Sequence, residues 1–387
     1  MKHFVTMLFV SLLFWSCTDK EEFNSENSSV KNNTEVTTSK ISSSEAIEIA
    51  KSFLGKSTTR SLDIQSPVVN YITNNLTTRS NAQSDTVAYV INFEDNKGFA
   101  IISSKKIGNP VLAFSEEGSF SFDNEIVMEN FINRIPEYVV SSIDGSDTEI
   151  YNDFFDTCYR FEPSMQVSLS QFSPWNKYVV KDHPDCPVGC VALATALIMT
   201  HTKGAIVYHE EGYPLKAMIT AIKKEQSKTN NYLNEPSQPG DLVIPYYMAE
   251  DYMAKLLYEI GKDLDMNYSP TGSGTDSKKA WTLLFNLGFD IPTTYDTYNL
   301  NNVIYYLSNN YIIYLRGAGN KDNHAWVADG CYYCVDPFDE SIILDAYIYC
   351  DWGWGGNCNG YYTGAVFDVG KDTHYNVTNY FPVKKEY

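Results

Sequence analysis

Basic residues are scarce: 29 Lys and Arg stand against 48 Asp and Glu in 387 residues, a formal charge of −19. A chain of that sign repels phosphate backbones and anionic lipid surfaces, which excludes nucleic acid as a partner. Long apolar runs are equally scarce. The run Phe4 to Trp15 is too short to cross a bilayer as a permanent helix, and no second stretch of roughly 20 apolar residues follows it. Apolar side chains are nearly missing between Thr18 and Lys40, where Ser, Asn, Thr, Glu and Lys dominate. Such a stretch cannot offset the entropy of folding and reads as a tether.

Aromatic residues are plentiful, with 29 Tyr and 20 Phe, and they point to well-packed, strand-rich domains. The length suits two domains. Lys2 and His3, the apolar run after them and an abruptly polar stretch beyond Cys17 form an export signal. Ser16-Cys17 resembles the lipobox of bacterial lipoproteins, which implies lipidation of Cys17 and a membrane attachment made only through lipid. The expected location is the outer membrane or cell surface, with release of a mature domain. Seven cysteines follow Cys17, an odd number for an oxidising compartment, so one is available for chemistry.

Ser42-Ser43-Ser44 supplies N-caps for a helix carrying Ala46, Ile47, Ala50, Phe53 and Leu54, with Gly55 as its expected C-cap. Val87 to Phe93 and Phe99 to Ile102 flank a turn-rich loop and predict a β-hairpin. Val111 to Phe114 predicts a further strand, and Glu125 to Val140 a helical pattern interrupted at Pro136. Residues 41 to about 145 thus form a small α+β unit. A cleavable boundary falls between Ser141 and about Glu162. The organisation reads as signal peptide 1–17, tether 18–40, amino-terminal domain 41–160 and carboxy-terminal domain 161–387. The second domain is expected to hold a small-residue helix (190–200), amphipathic helices near 249–262 and 277–287, and then aromatic strands.

Three segments carry chemistry. Gly189-Cys190 opens the alanine-rich helix, and a thiol at a helix N-terminus meets the positive end of the macrodipole, which favours the nucleophilic thiolate. His324 stands where a polar loop meets the strand Ala325-Trp326-Val327-Ala328, the placement of a base held at a cleft. It follows Cys190 at a spacing within the range of roughly 130–150 residues seen in papain-like peptidases. His183, His201, His209 and His374 read as structural or surface residues. Asp351-Trp352-Gly353-Trp354-Gly355-Gly356 pairs two large rings with three glycines and can shield a charged pair from water.

Together these segments resemble the streptopain family, propeptide-bearing cysteine peptidases on a papain-like fold. The resemblance rests on Gly-Cys-Val-Ala-x-Ala-Thr-Ala (189–196), His-Ala-x-Val (324–327) and Trp-Gly-Trp-Gly-Gly (352–356). It extends over nearly the whole chain after the tether, where the hairpin and Val111 to Phe114 look like the family's inhibitory propeptide. It implies an α+β architecture, a papain-like peptidase domain behind a small α+β propeptide domain. It also implies Cys190 as nucleophile, His324 as its acid/base partner and Gln171 as oxyanion-hole donor, with Trp352, Trp354 and Asp351 in support. Where the family commonly has asparagine this chain has Asp351, a carboxylate that either stabilises the imidazolium or faces solvent. Asp265 to Pro270 is similar to a family segment bordering the substrate cleft. The implied partners are protein or peptide substrates and the chain's own propeptide as intramolecular inhibitor; no cofactor and no metal are called for.

Other readings of the same residues are a non-catalytic surface-binding protein and a different thiol acyl transfer, such as amide hydrolysis on cell-wall peptides. Cys331, Cys334, Cys350 and Cys358 could hold zinc, although disulfides suit an exported protein better, and Cys350 and Cys358 flank the Trp-Gly loop and could bridge it. Spacing does not give the pairing.

Overall fold

The computed structural model describes residues 40–57, 67–73, 85–142, 157–165, 167–230, 241–318, 323–368 and 378–386. The expected signal peptide with Cys17, the expected tether up to residue 39, the expected cleavable stretch from residue 143 to 156 and His374 lie outside these residues. The mixture of helices and sheet expected from the sequence is what the structure shows.

The first segment opens with α1 (Ser43–Ser57), whose Glu45 N–H donates to the Ser42 hydroxyl at 3.2 Å. Ala46, Ala50 and Leu54 form its buried stripe. The expected stop at Gly55 is not made: an exposed glycine in a last turn costs only about 1 kcal/mol, and the helix runs on to Ser57. Strands β1 (Val68–Thr73), β2 (Thr86–Asn92), β3 (Phe99–Ser103) and β4 (Val111–Ser115) form an antiparallel meander. The predicted hairpin is β2–β3, in register Asn92↔Phe99. Helix α2 (Glu125–Asn130), a 3-10 turn (Ile132–Arg134) and α3 (Ile135–Ser141) follow. The helical pattern therefore breaks at Phe131 and not at Pro136. Proline sits in the first turn of α3, where a missing N–H leaves nothing unbonded.

The second segment contains β5 (Cys158–Phe161), α4 (Val179–Asp182), α5 (Cys190–Thr202), β6 (Ile206–Tyr208), β7 (Glu211–Tyr213), α6 (Leu215–Asn230), α7 (Tyr246–Asp263), α8 (Ser277–Asn286), β8 (Asp296–Thr297), α9 (Leu300–Ser308), β9 (Tyr311–Ala318), β10 (Asn323–Val335), β11 (Ile343–Asp351), β12 (Gly360–Thr363) and β13 (Thr378–Lys384). Every residue of α5 after Cys190 is buried, because its alanines let sheet and helices close on it from all sides. Helices α6 and α9 were not expected. Leu215, Met218 and Ile222 bury one face of α6 within a lysine-rich polar stretch, and the tyrosines of α9 read as strand formers.

One sheet runs through both segments in the order β1-β2-β3-β4-β12-β11-β10-β9-β13-β8, with β5 added against β10. The join is the β4–β12 ladder, Phe114↔Tyr361 and Ala113↔Tyr362. Phe114 stacks on Tyr361 at 4.9 Å, and the Tyr347 hydroxyl donates to the Val111 carbonyl at 2.8 Å. Alternation along β10 sends Ala325 and Val327 to the α5 side and Trp326 and Ala328 to the opposite core.

The disulfide is Cys158–Cys334, which fastens β5 to β10. Cys331, Cys350 and Cys358 are free thiols, so the bridge considered between Cys350 and Cys358 is not formed. Cys358 Sγ points instead at Ser121 of the first segment, 3.6 Å from its carbonyl. With Cys334 in a disulfide, the four-cysteine zinc reading also fails.

Candidate active site

Gly189 holds φ +89°, and a Cβ there would lie 2.9 Å from both Met266 Sδ and the Ser273 carbonyl. Only glycine makes this turn, and it delivers Cys190 as the first residue of α5. The 265–275 loop is thereby placed against the residue before the cysteine. Cys190 is half-buried. Burial pushes its thiol up, while the backbone N–H groups of Ala325, Val191 and Cys190 and the charge of Arg316 favour the thiolate. The sulfur therefore lies beside the β10 backbone one residue from His324.

His324 is buried, and its Nε2–H donates to the Trp352 carbonyl at 2.9 Å. Burial pulls the imidazole down to about 4, opposed by that hydrogen bond. Its ring lies parallel to Trp326, centroids 6.2 Å apart, and Trp326 in turn stacks on Trp352 at 4.9 Å. Among the described residues no hydrogen bond links this ring to Cys190 Sγ. Cys190 thus lies against the β10 backbone next to His324, with burial favouring the neutral form of each group and the imidazole engaged elsewhere.

A side chain from the first segment reaches the same place. His324 faces Gly317 across the β9–β10 ladder, and a Cβ on Gly317 would fall 1.9 Å from Asn130 Oδ1 of α2. The buried Asn130 carboxamide occupies the space a side chain at 317 would need. Nearby, the buried Arg134 donates from Nη1 to Thr378 Oγ1 on β13 at 2.9 Å.

Gln171 is buried beside this site, and its carbonyl accepts from Val188 N at 2.9 Å, two residues before Cys190. Trp352 is fully buried, whereas Trp354 is half-buried and packs on Phe172. Asp351 is buried, so it does not face solvent, and among the described residues no hydrogen bond joins it to the imidazole in this arrangement. Its Oδ1 accepts from Gly353 N at 2.9 Å. Asn359 Oδ1 accepts from Trp352 N at 3.1 Å, so the two side chains shape the turn that presents the Trp352 carbonyl. Burial pushes the Asp351 carboxyl up to about 6. Gly353, at φ +75°, lets this turn lie on α5, where a Cβ would meet Leu193 Cδ2 at 2.8 Å. A narrow crevice results, lined by Cys190, Leu193, Ala325, Asp351, Trp352 and Gly353.

The other histidines stand apart from this constellation. His201 bonds to the Leu197 carbonyl, His209 to Asp263, and His183 stacks on Tyr268. Asn130, Gly317 and Asn359 escaped the sequence reading, because isolated small or amide residues in polar stretches carry no spacing signal.

Residues 169–362 match the model of the peptidase C10 family, and residues 38–138 that of the Spi protease inhibitor. Streptopain of Streptococcus pyogenes is 24% identical over 322 residues, covering 71% of this chain and 73% of its own, and streptopain of serotype M1 matches equally. The solved structure of a mutant fragment of Prevotella intermedia prointerpain A aligns with a TM-score of 0.47 and 16% identity, over 81% of this chain and 98% of that one. With about half of its length matched by one family model and an inhibitor module ahead of it, the chain belongs to the peptidase C10 family as a zymogen-type cysteine peptidase.

Proposed function

We propose that the chain is an exported endopeptidase in which Cys190 attacks the peptide carbonyl and His324 manages the proton. The observation that carries this reading is one crevice lined by the Cys190 helix terminus and by the strand that follows His324, with Gln171 bonded to the turn just before Cys190. In the active arrangement the imidazole takes the thiol proton, and the thiolate adds to the carbonyl carbon. The resulting oxyanion is met by the Gln171 carboxamide and the Cys190 N–H. The imidazolium then protonates the departing amine, leaving a thioester that water, activated by neutral His324, hydrolyses back to the free thiol.

The first segment acts as an inhibitor in this reading. Asn130 beside Gly317 and the bond from His324 to Trp352 hold the imidazole away from the sulfur. Loss of the segment frees the ring to turn and pair with Cys190. Lipid on Cys17 would tether the zymogen, and a cut between the segments would release the enzyme. Incubating the purified full-length chain with casein, with and without a thiol-alkylating reagent, followed by N-terminal sequencing, tests activity and self-processing together. Fractionating cells with antibody against residues after 165 tests the anchor. Mature enzyme found wholly in membranes rules out release, and casein hydrolysis indifferent to alkylation rules out the thiol mechanism.

Gln171→Ala is expected to lower kcat about 10²- to 10³-fold with a smaller change in KM, the usual cost of one oxyanion donor. An unchanged kcat with raised KM would place Gln171 in substrate binding instead.

The contact between the segments should depend on pH through Asp345. Its carboxylate accepts a hydrogen bond from Asn109 of the first segment and lies near Tyr138, Tyr332 and Tyr347, all neutral below pH 9 because burial raises them. Burial pushes Asp345 up to about 7, against roughly 4 for an exposed carboxylate. The associated state then binds the proton more tightly, so association is strongest below about pH 4, weakens as pH rises toward 7 and is level above that. In the Cys190→Ala chain nicked between the segments, dissociation should rise over this window and Asp345→Asn should flatten it. A pH-independent dissociation in the parent would contradict this.

A further inference from the structure

The segment that carries Gln171 belongs to no regular strand, yet its main-chain groups are bonded one after another. Leu169 O accepts from Gly355 N at 2.8 Å, Ser170 pairs with Trp354 in an antiparallel bridge, and Gln171 O accepts from Val188 N. These bonds tie the segment to the Trp-Gly loop and to the turn before Cys190. At Ser168 the main-chain neighbour is replaced by a side chain: Ser168 N–H donates to Gln226 Oε1 at 2.9 Å, and Gln226 Nε2 donates to the Ser168 carbonyl at 2.7 Å. Gln226 lies in α6 and is partly buried.

A primary carboxamide has the donor, acceptor and planarity of a peptide group, so this contact reproduces one rung of a β-ladder. We propose that Gln226 is a positioning residue for the oxyanion side of the active site, fixing Ser168 and through it the place where Gln171 presents its amide. Space around Ser168 is closed on another side as well, since a Cβ on Gly356 would fall 2.5 Å from its Oγ. Between α6 and the Trp-Gly loop, residues 168–171 have little freedom to slide. Without Gln226 the N–H and carbonyl of Ser168 lose both partners, and the main chain of 168–171 keeps only its bonds to the loop and to Val188. The donor must stand about 3 Å from an oxygen that exists only in the transition state. A shift of about 1 Å there costs up to roughly 10²-fold in rate.

This inference rests on Gln171 being the oxyanion donor, and its test separates the two claims. Gln226→Ala is expected to lower kcat about 10- to 100-fold on a peptide substrate, with KM within about twofold and the alkylation rate of Cys190 unchanged. Gln226→Glu keeps the acceptor for Ser168 N–H but loses the donor to its carbonyl, and should lie between wild type and alanine. In a Gln171→Ala background, Gln226→Ala should add almost nothing, since the group being positioned is already gone. Hydrogen exchange at the Ser168 amide, followed in the full-length Cys190→Ala chain, should lose protection on Gln226→Ala.

Wild-type kcat for Gln226→Ala overturns the proposal, as does an equal fold-loss with and without Gln171, or a parallel loss of Cys190 alkylation. If Gln171→Ala itself keeps wild-type kcat, the oxyanion assignment falls, and the positioning role falls with it. A change in Ser168 protection would then report only the contact between α6 and this segment.

Discussion

Cys190→Ala is expected to remove peptide hydrolysis, lowering turnover on the order of 10⁶-fold on casein, while the chain melts within a few degrees of the parent. The change deletes one sulfur from the wall of a narrow crevice and leaves the buried face of α5 untouched. The unprocessed chain should accumulate, unless another peptidase cuts it. His324→Ala should be nearly as severe, and the double variant scarcely worse than either single one, because the two residues act as a unit. In the unprocessed chain His324→Ala should also cost about 1–3 kcal/mol, since the buried Trp352 carbonyl loses its donor. Steady-state turnover with urea unfolding separates the effects. Near wild-type hydrolysis by either variant would sink the assignment of the nucleophilic pair.

Asp329→Ala should destabilise the chain by about 3–5 kcal/mol, the range for removing one partner of a buried ion pair. Asp329 is fully buried on β10 and pairs with Lys385, itself 11% exposed, after β13. Its Oδ2 also accepts from Ser164 Oγ at 2.7 Å and from Met165 N at 2.6 Å. One carboxylate thus joins the strand bearing His324, the segment behind β5 and the carboxy-terminal tail. Alanine leaves an ammonium and an amide N–H without their partner. Asp329→Ala combined with Lys385→Met should recover much of the loss, because no unpaired charge then remains. Urea unfolding in the Cys190→Ala background, where self-cleavage cannot intervene, gives the number. A loss below about 1 kcal/mol would mean that water solvates the pair.

The elements whose side chains repeat with a period were legible in the sequence. The buried α5 announced itself through its alanines, the β2–β3 hairpin through two apolar runs around a turn, and β10 through the strand after His324. Cys190 and Trp352 line one crevice, with His324 bonded to the Trp352 carbonyl and Gln171 to Val188 beside it. What could not be read is what the backbone or a single side chain decides. The β4–β12 ladder is made by main-chain groups of strands more than two hundred residues apart, and edge pairing of that kind leaves no pattern in either strand. Asn130 and Gln226 act through one carboxamide each in stretches that otherwise look like solvated helix. The helix breaks at Phe131 and not at Pro136, because proline breaks a helix from its interior but begins one from its first turn, a difference the residue type does not show. Asp351 was placed by chemical type, as a possible partner of a cation, whereas burial and the Gly353 N–H assign it to a turn.

The same β4–β12 ladder also gives the chain an order of events during folding. Strands β1 to β4 pair with one another in sequence order, so the meander has low contact order, emerges before the enzyme segment and closes early. In the enzyme segment β9 to β12 also pair in sequence order, but its sheet is completed by longer-range contacts: β13 lies between β8 and β9, and β5 joins β10 far along the chain. Those contacts wait for nearly complete synthesis. By then β4 already stands as an ordered edge with open main-chain groups, and Phe114 and Tyr361 meet as β12 adds to it. The inhibitor segment is therefore placed as a template on which β12 registers, and a chain refolded without it would leave β12 as an open edge exposed to other chains.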